Sequence, residues 1–174
     1  MMKTYRAGID IGSTTVKLVV LDDSDATVYS EYRRHRAHTQ ETLAELLTEA
    51  REITGPCLLK LKITGSGSIN LGKALGIGFV QEVVAVASAL QHTAPHVDVA
   101  IELGGEDAKI IYFKGGLEER MNGVCAGGTG SFIDQMAALL QTDAPGLNKA
   151  AEDYKEIYRL QHAAVCLQRQ IYSR

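Results

Sequence analysis

The chain has 174 residues and a formal net charge of -3 at pH 7, and 45% of its residues are hydrophobic. This composition excludes a disordered tail and is sufficient for a buried core in one or two compact lobes. A sequence pI of about 5.9, mixed charges and the lack of an apolar run of membrane-spanning length argue against nucleic acid and membrane partners, so we expect a cytoplasmic protein.

The first 91 residues read as β-branched strand segments that alternate with segments of helical periodicity. After Thr39, which we expect to be an N-cap, leucines recur at helical spacing until Gly55 and Pro56 end the pattern. The predicted elements are strands at Tyr5–Ile11, Val16–Leu21, Thr27–Arg33 and Leu58–Thr64, a helix between Thr39 and Gly55, and helices at Asn70–Leu75 and Glu82–Gln91.

A short cationic run, Arg33–Arg36 with the sequence RRHR, follows the third predicted strand. Charged residues at the end of a strand are most often solvated. We therefore interpret the run as a solvated strand end, with an anion or partner site as the alternative.

His92–Asp98, which contains Pro95, separates two parts of the chain with a similar order of elements. We predict a first lobe at residues 1–96 and the beginning of a second lobe at residues 97–158. In the second lobe the predicted elements are strands at Val97–Leu103, Lys109–Phe113 and Leu117–Met121 and an amphipathic helix at Ser131–Leu140, whose apolar stripe we expect to be core.

Each part carries an acid, a glycine and a lysine at comparable offsets around a turn between two strands: Asp10, Gly12 and Lys17, then Glu102, Gly104 and Lys109. Such a turn brings backbone N–H groups and a carboxylate to one point, which suits a phosphate and its metal. We expect Asp10 and Glu102, at the strand ends, to act on Mg²⁺ through its retained waters. The sequence lacks the Walker A and Rossmann glycine patterns, which argues against those nucleotide sites.

The three cysteines, Cys57, Cys125 and Cys166, are far apart and odd in number, which argues against a disulfide framework. Cys57 reads as a small buried hydrophobic residue. Cys125 differs because it lies between Gly123 and Gly127, beside a predicted helix start. A thiolate there suits iron, although one cysteine cannot hold a four-iron cluster.

Two segments of the chain resemble a superfamily of ATPases, and two others resemble one family within it. DIGSTTVK from Asp10 and ELGGEDAK from Glu102 resemble the two phosphate motifs of the actin, sugar kinase and Hsp70 ATPase superfamily. MNGVCAGGTGSFIDQM from Met121 and ITGSGSINLGKALGIGFVQEVVA from Ile63 resemble, more specifically, the activator ATPases of 2-hydroxyacyl-CoA dehydratases and benzoyl-CoA reductases, the BadF/BadG/BcrA/BcrD type, and in particular the N-terminal part of its long members. The resemblance covers Tyr5–Tyr158.

The resemblance implies an α/β protein of ribonuclease H-like, actin-like ATPase fold, with a complete first lobe and a truncated second lobe. It also implies ATP or ADP with Mg²⁺, and a homodimer that shares one [4Fe-4S] cluster. ATP hydrolysis in the family drives an electron from that cluster into a partner acyl-CoA dehydratase or reductase. The residues that match nucleotide-binding positions are Gly12, Ser13, Thr14, Thr15, Lys17, Gly104, Gly105, Glu106, Asp107, Lys109, Gly127, Gly128, Thr129 and Gly130.

Four further roles follow from the same resemblance. Asp10 and Glu102 are the catalytic carboxylates that face Mg²⁺, although much of the superfamily has aspartate where this chain has Glu102. Glu82 matches a glutamate that positions the attacking water, with a surface carboxylate as the alternative. Cys125 matches a cluster ligand.

Residues 159–174 depart from the family pattern, in which a segment resembling RCGVFAKTDIQP supplies the second cluster cysteine. Permitted codons for this tail, read one nucleotide earlier, can encode PPAARCGVFAKTDIQP. We therefore predict a frameshifted tail in which that cysteine is hidden in the codons of Ala163 and Ala164 and Cys166 is accidental. The expected consequences are weak or absent ATPase activity and no stoichiometric cluster.

Two other functions remain open from the sequence. One is a phosphotransferase related to sugar or acetate kinases, since one fold supports several chemistries. Cys125 within GVCAGGTG argues against it. The other is a non-catalytic nucleotide-binding module of the same fold.

Overall fold

The computed structural model describes residues 2–121 and 129–156 and divides between Val97 and Asp98 into two compact units. The first unit comprises, in chain order, strands β1 (Thr4–Ile11), β2 (Thr15–Leu21) and β3 (Thr27–Arg34), helix α1 (Thr39–Thr54), strand β4 (Leu58–Thr64), helix α2 (Ile69–Leu75), strand β5 (Gly78–Phe79) and helix α3 (Glu82–Thr93). Its strands form one five-stranded mixed sheet in the order β3-β2-β1-β4-β5.

Strand β1 is the centre of this sheet. It pairs antiparallel with β2 and parallel with β4. The register places Lys17 opposite Asp10 and Thr64 on the other side of Asp10, so the three residues form one row across three strands. Directly paired residues share a face of a sheet, so the row presents its side chains on one side.

The opposite face of β1 contributes, with side chains of β2, β4 and α1, to the core of the first unit. Side chains along β1 alternate strictly between buried and exposed or half-buried positions, as a strand with one covered face requires. Full burial of a large aliphatic side chain stabilises a fold by about 1.5–3 kcal/mol. The core therefore fixes the sheet on which the first turn is built, and its main members are Tyr5, Ala7, Ile9, Ile11, Val16, Leu18, Val20, Leu43, Leu46, Ala50 and Ile63.

Strand β3 is fastened to α1 by a charged hydrogen-bond cluster around Glu49. Arg33 donates two hydrogen bonds to the Glu49 carboxylate, at 2.9 and 3.0 Å, and the Tyr29 hydroxyl donates a third at 2.9 Å. The bonds from Arg33 and Tyr29 lower the pKa of Glu49. Burial and the adjacent Glu49 raise the pKa of Tyr29 to about 12.

The second unit contains strands β6 (Val99–Leu103), β7 (Ala108–Tyr112) and β8 (Glu118–Met121), followed by helices α4 (Gly130–Leu139) and α5 (Ala144–Glu152). The strands form an antiparallel sheet in the order β6-β7-β8. Among its described residues, β6 pairs only with β7, and one face of β6 exposes Val99, Ile101 and Leu103. Ile111 and Ala137 are the buried hydrophobic residues in the described part of this unit.

The predicted strands and helices occur in the structure with bounds that differ by at most two residues. One predicted cap is wrong, since His38 rather than Thr39 is the N-cap of α1. The turn before the helix causes this shift, because Arg36 and Ala37 have positive φ and the His38 carbonyl already accepts from the Thr42 amide.

Two further features of the second unit differ from the sequence-based expectation. The apolar stripe predicted as core on α4 buries only Ala137 fully, whereas Leu139 and Leu140 are 44% and 65% exposed. Helix α5 was not predicted, although Asp143 supplies a clear signal as its N-cap by accepting from the Gly146 amide at 2.9 Å. None of the helices in the described ranges combines the length and apolar character that a membrane span requires.

Candidate nucleotide site

The first candidate element is the turn that joins β1 to β2, residues Gly12 to Thr15. The Gly12 amide donates to the Thr15 carbonyl at 2.9 Å and closes the turn. Ser13 is exposed at its tip, Thr14 is half-buried and Thr15 is buried. The turn thus presents backbone amides and at least one hydroxyl, the groups that cradle a phosphate.

Asp10 and Lys17 lie at the base of this turn. Lys17 Nζ is 2.7 Å from Asp10 Oδ2, and the lysine also lies over the Tyr32 ring at 5.6 Å from its centroid. The other carboxylate oxygen, Oδ1, is buried and has no hydrogen-bond partner within residues 2–121 and 129–156. A buried carboxylate oxygen in this state suits a bound water or a hydrated cation.

Thr64 adds a second oxygen beside Asp10. It ends β4 opposite Asp10 in the parallel register, and its Oγ1 is likewise buried without a hydrogen-bond partner in the described part of the chain. Both residues, with Lys17, line a cavity of about 580 Å³ between the outer face of the sheet and α3. Sequence patterns do not indicate Thr64 as a site residue, because the parallel pairing of β1 with β4 joins positions far apart in sequence.

Gly65 explains how the loop after β4 approaches the turn so closely. Its φ is +93°, and a Cβ at this position would overlap the Ile11 carbonyl and Asp10 Oδ1. The backbone of Gly65 therefore covers one side of the Asp10 carboxylate, an arrangement that needs glycine.

The second candidate element is the turn between β6 and β7. The Gly104 amide donates to the Asp107 carbonyl at 2.8 Å, and Glu102 pairs with Lys109 across the strands. Glu102 Oε2 is buried and without a hydrogen-bond partner among the described residues, as Asp10 Oδ1 is. The two units therefore share an acid-lysine register and, beside a glycine turn, a buried carboxylate oxygen without a hydrogen-bond partner in the described ranges.

Helix α4 begins against this second turn. The Gly130 amide donates to the Gly104 carbonyl at 2.7 Å, and the Ser131 amide donates to the Gly105 carbonyl at 3.0 Å. Thr129, the N-cap, is fully buried. The structure thus brings Gly104, Gly105, Thr129 and Gly130 together, whereas Glu106 and Asp107 are exposed at the turn.

The remaining predicted site residues are placed as follows. Glu82 is the first residue of α3, half-buried, where a carboxylate interacts favourably with the helix dipole. Cys125, Gly127 and Gly128 lie outside the described residues, as do Cys166 and the tail. The described ranges contain no group of three or more His, Cys, Asp or Glu side chains that could hold a metal ion directly.

One part of the cationic run behaves differently from the prediction. Arg34 and Arg36 are exposed, but Arg33 is half-buried and donates to Glu49, and His35 is only 9% exposed and contacts the first turn. The interpretation as a solvated strand end is therefore wrong for Arg33 and His35. Strand alternation alone does not reveal the His35 contact, since that contact depends on the irregular backbone after β3.

Comparison with known proteins relates the chain to one group. A model of the BadF/BadG/BcrA/BcrD ATPase family matches residues 7–158. The activator of lactoyl-CoA dehydratase from Anaerotignum propionicum is 34% identical over 146 residues, which cover 79% of this chain and 54% of that protein. The chain spans 54–57% of the length of the curated dehydratase activators it matches.

Two solved structures are similar in fold. Component A of the (R)-2-hydroxyglutaryl-CoA dehydratase from Acidaminococcus fermentans has a TM-score of 0.84 and 26% identity, covering 98% of this chain and 67% of that one. The activator of the 2-hydroxyisocaproyl-CoA dehydratase from Clostridium difficile with bound ADPNP has a TM-score of 0.84 and 27% identity, covering 97% and 65%. These similarities confirm the predicted α/β, actin-like ATPase fold.

Proposed function

The chain belongs to the BadF/BadG/BcrA/BcrD ATPase family, and on that premise we propose that it binds Mg-ATP and Mg-ADP through its two glycine turns and acts as an ATP-dependent activator. The observation that carries the proposal is the repeated arrangement at those turns. Each has a glycine turn, a cross-strand acid-lysine pair and a buried carboxylate oxygen without a hydrogen-bond partner among the described residues.

The first turn would bind phosphate through the amides and hydroxyls of Ser13, Thr14 and Thr15, with Lys17 as the cation at its base. Lys17 also donates a hydrogen bond to Asp10 Oδ2, and Oδ1 takes no part in that ion pair. Backbone donors and a lysine are the groups that stabilise transferring phosphoryl oxygens.

The second turn would bind phosphate through Gly104 and Gly105, supported by Thr129 and Gly130 at the start of α4. Gly127 and Gly128, outside the described residues, are proposed to extend this surface by their match to the family. Glu106, Asp107 and Lys109 complete the proposed second motif.

A hydrated Mg²⁺ fits either carboxylate taken by itself, because Asp10 Oδ1 and Glu102 Oε2 are each buried without a hydrogen-bond partner among the described residues. When bound, Mg²⁺ supplies positive charge that offsets the negative charge of the phosphates. We propose that Glu82 orients the attacking water, which its half-buried position at the start of α3 permits.

The activator role is proposed for the partner that the relatives' names indicate, an acyl-CoA dehydratase, or a related acyl-CoA reductase. Its finer form is that hydrolysis drives an electron from a [4Fe-4S] cluster, shared by a homodimer with Cys125 as one ligand, into that partner. Such a cluster requires a second cysteine from each subunit, and residues 159–174 do not contain the family segment that carries it. We therefore expect the 174-residue chain to purify anaerobically without four irons and four sulfides per dimer.

The test is calorimetric titration of the chain with Mg-ATP and Mg-ADP, followed by measurement of phosphate release. We expect saturable binding that weakens about tenfold or more in Asp10→Asn and in Glu102→Gln, the range for loss of a charged contact. An exposed carboxylate variant, Glu119→Gln, is the matched control. Absence of nucleotide binding by the unaltered, folded chain would overturn the proposal.

A further inference from the structure

We propose that His35 is a positioning residue for the first phosphate turn, which it holds by a hydrogen bond from Nε2–H to the Gly12 carbonyl. The proposal rests on the proposed nucleotide function. It extends that function to a residue outside every motif that the sequence indicates for it.

His35 contacts the first turn at two of its residues. Its ring nitrogen Nε2 lies 3.3 Å from the Gly12 carbonyl oxygen, and its backbone amide donates to the Thr14 carbonyl at 3.1 Å. The residue is 9% exposed, although it follows an arginine-rich strand end. One buried residue therefore contacts two of the carbonyls that define the shape of the turn.

The second ring nitrogen determines which tautomer the histidine adopts. The Ala37 amide donates to Nδ1 at 3.1 Å, so Nδ1 is an acceptor and carries no proton. A neutral imidazole then has its proton on Nε2, the nitrogen that faces Gly12. The contact between Nδ1 and the Ala37 amide therefore identifies Nε2–H as the hydrogen-bond donor to the Gly12 carbonyl.

The backbone after His35 holds the ring in this place. Arg36 and Ala37 have φ values of 45° and 70°, in the left-handed region that side chains other than glycine rarely adopt. The His38 amide donates a hydrogen bond to the His35 carbonyl at 2.6 Å, and His38 is the N-cap of α1. The packed helix α1 thereby supports the imidazole, and through it the first turn.

The consequence concerns phosphate rather than adenosine. Fixing the Gly12 carbonyl fixes the peptide plane that begins the turn, and hence the direction of the amides that follow it. Removing the Nε2 donor alone is expected to weaken Mg-ADP about five- to tenfold, the usual effect of one buried hydrogen bond. Binding of adenosine is expected to stay unchanged.

Two substitutions separate this role from a structural one. In His35→Gln the side-chain amide nitrogen occupies the place of Nε2 and keeps the donor to Gly12. In His35→Asn the amide oxygen occupies the place of Nδ1 and keeps the contact with Ala37, but the side chain is too short to reach Gly12. His38→Gln, at an exposed position without a side-chain cap bond, is the control.

The experiment measures Mg-ADP and adenosine affinity by calorimetry and thermal unfolding for the full chain and all three variants. We expect His35→Gln and His38→Gln to bind Mg-ADP within about twofold of the parent chain, and His35→Asn to bind five- to tenfold more weakly at similar thermal stability. Equal affinity of His35→Asn and the parent, or equal losses in both His35 variants that follow lost stability, would overturn the proposal.

A nucleotide-free measurement keeps this inference separate from the proposed function. Nitrogen-15 NMR of the imidazole reports the tautomer, and hydrogen exchange reports the amides of the first turn. The Nε2–H tautomer, with faster exchange of the Gly12 amide in His35→Asn than in His35→Gln, supports the inference even if the chain binds no nucleotide. An Nδ1–H tautomer overturns it even if nucleotide binds.

Discussion

The Gly130 amide donates to the Gly104 carbonyl at 2.7 Å, so the first residue of helix α4 is joined directly to the glycine turn of the second unit. A Cβ added at Gly130 would lie 3.1 Å from that carbonyl oxygen. The glycine turn and the helix start are therefore in direct backbone contact, and a side chain at Gly130 would crowd that contact.

Gly130→Val tests the contact between the helix start and the glycine turn. The Cβ of valine would lie 3.1 Å from the Gly104 carbonyl oxygen, closer than ordinary van der Waals contact, and its branch adds two methyl groups. We therefore expect Mg-ADP affinity to fall about tenfold through weakening of the amide contacts at the turn. Ala138→Val, on an exposed position of the same helix, introduces the same β-branched residue without that contact. Equal Mg-ADP affinities of Gly130→Val and Ala138→Val would contradict a role of the contact between Gly130 and Gly104 in nucleotide binding.

Gly65 offers a second test, because Gly76 also has a positive φ but lies in different surroundings. Gly65→Ala places a methyl group against Ile11 and Asp10, whereas Gly76, with φ +64°, has open space around its Cβ position. We expect Gly76→Ala to cost about 1 kcal/mol of unfolding free energy and Gly65→Ala clearly more, about 2–3 kcal/mol. Denaturant unfolding of both variants measures the difference, and similar costs would contradict the overlap.

Thr64→Val is expected to separate stability from function. Valine fills the same volume but removes a buried hydroxyl that lacks a hydrogen-bond partner in the described part of the chain. Such a replacement is nearly neutral or stabilising, so the thermal midpoint of the nucleotide-free chain should stay the same or rise. Mg-ADP affinity should fall if the hydroxyl binds a water of the hydrated cation. Thr64→Ser, which retains the hydroxyl, should keep that affinity.

Glu49→Gln is expected to lower the thermal stability of the first unit at pH 7. The lowered pKa of Glu49, caused first by Arg33 and then by Tyr29, means that the folded state prefers the carboxylate more strongly than the unfolded chain does. This stability is present above the unfolded value of 4.5 and is lost as pH falls through the lower folded value. The difference in melting temperature between parent and variant should therefore shrink below about pH 4.

The pKa of Tyr29 is raised, whereas that of Glu49 is lowered, so the stability that Tyr29 contributes depends on pH in the opposite direction. Its folded value of about 12 lies above the ordinary value of 10.0, so the phenol contributes stability that is complete below pH 10 and is lost as pH rises towards 12. Tyr29→Phe removes this contribution. The melting temperatures of parent and variant should converge over that alkaline range, and a constant difference would contradict the raised pKa that burial and Glu49 give Tyr29.

The sequence was sufficient to predict what depends on local pattern. Asp10 and Lys17 are close in the chain and meet across a turn, and Glu102 and Lys109 repeat the same offset, so alternation and glycine placement indicate both pairs. The structure brings them into register as that pattern requires. Family motifs then extend the prediction to the residues around the turns.

Residues that act through distant contacts could not be predicted in this way. Thr64 reaches Asp10 only because β1 and β4 pair in parallel across a crossover, and no periodicity encodes that register. His35 reaches Gly12 only because two residues after β3 adopt left-handed conformations, which neither Arg36 nor Ala37 favours by itself. The exposed end of α4 was mispredicted for the related reason that an apolar stripe does not specify what covers it.

The outer side of β6 has a consequence for handling the protein. Val99, Ile101 and Leu103 form an exposed apolar ridge on a strand whose other edge has no partner strand among the described residues. A bare edge with an apolar face is a template on which a further strand can be added. We therefore expect the protein to self-associate increasingly as its concentration rises, and we expect Ile101→Lys to suppress this self-association.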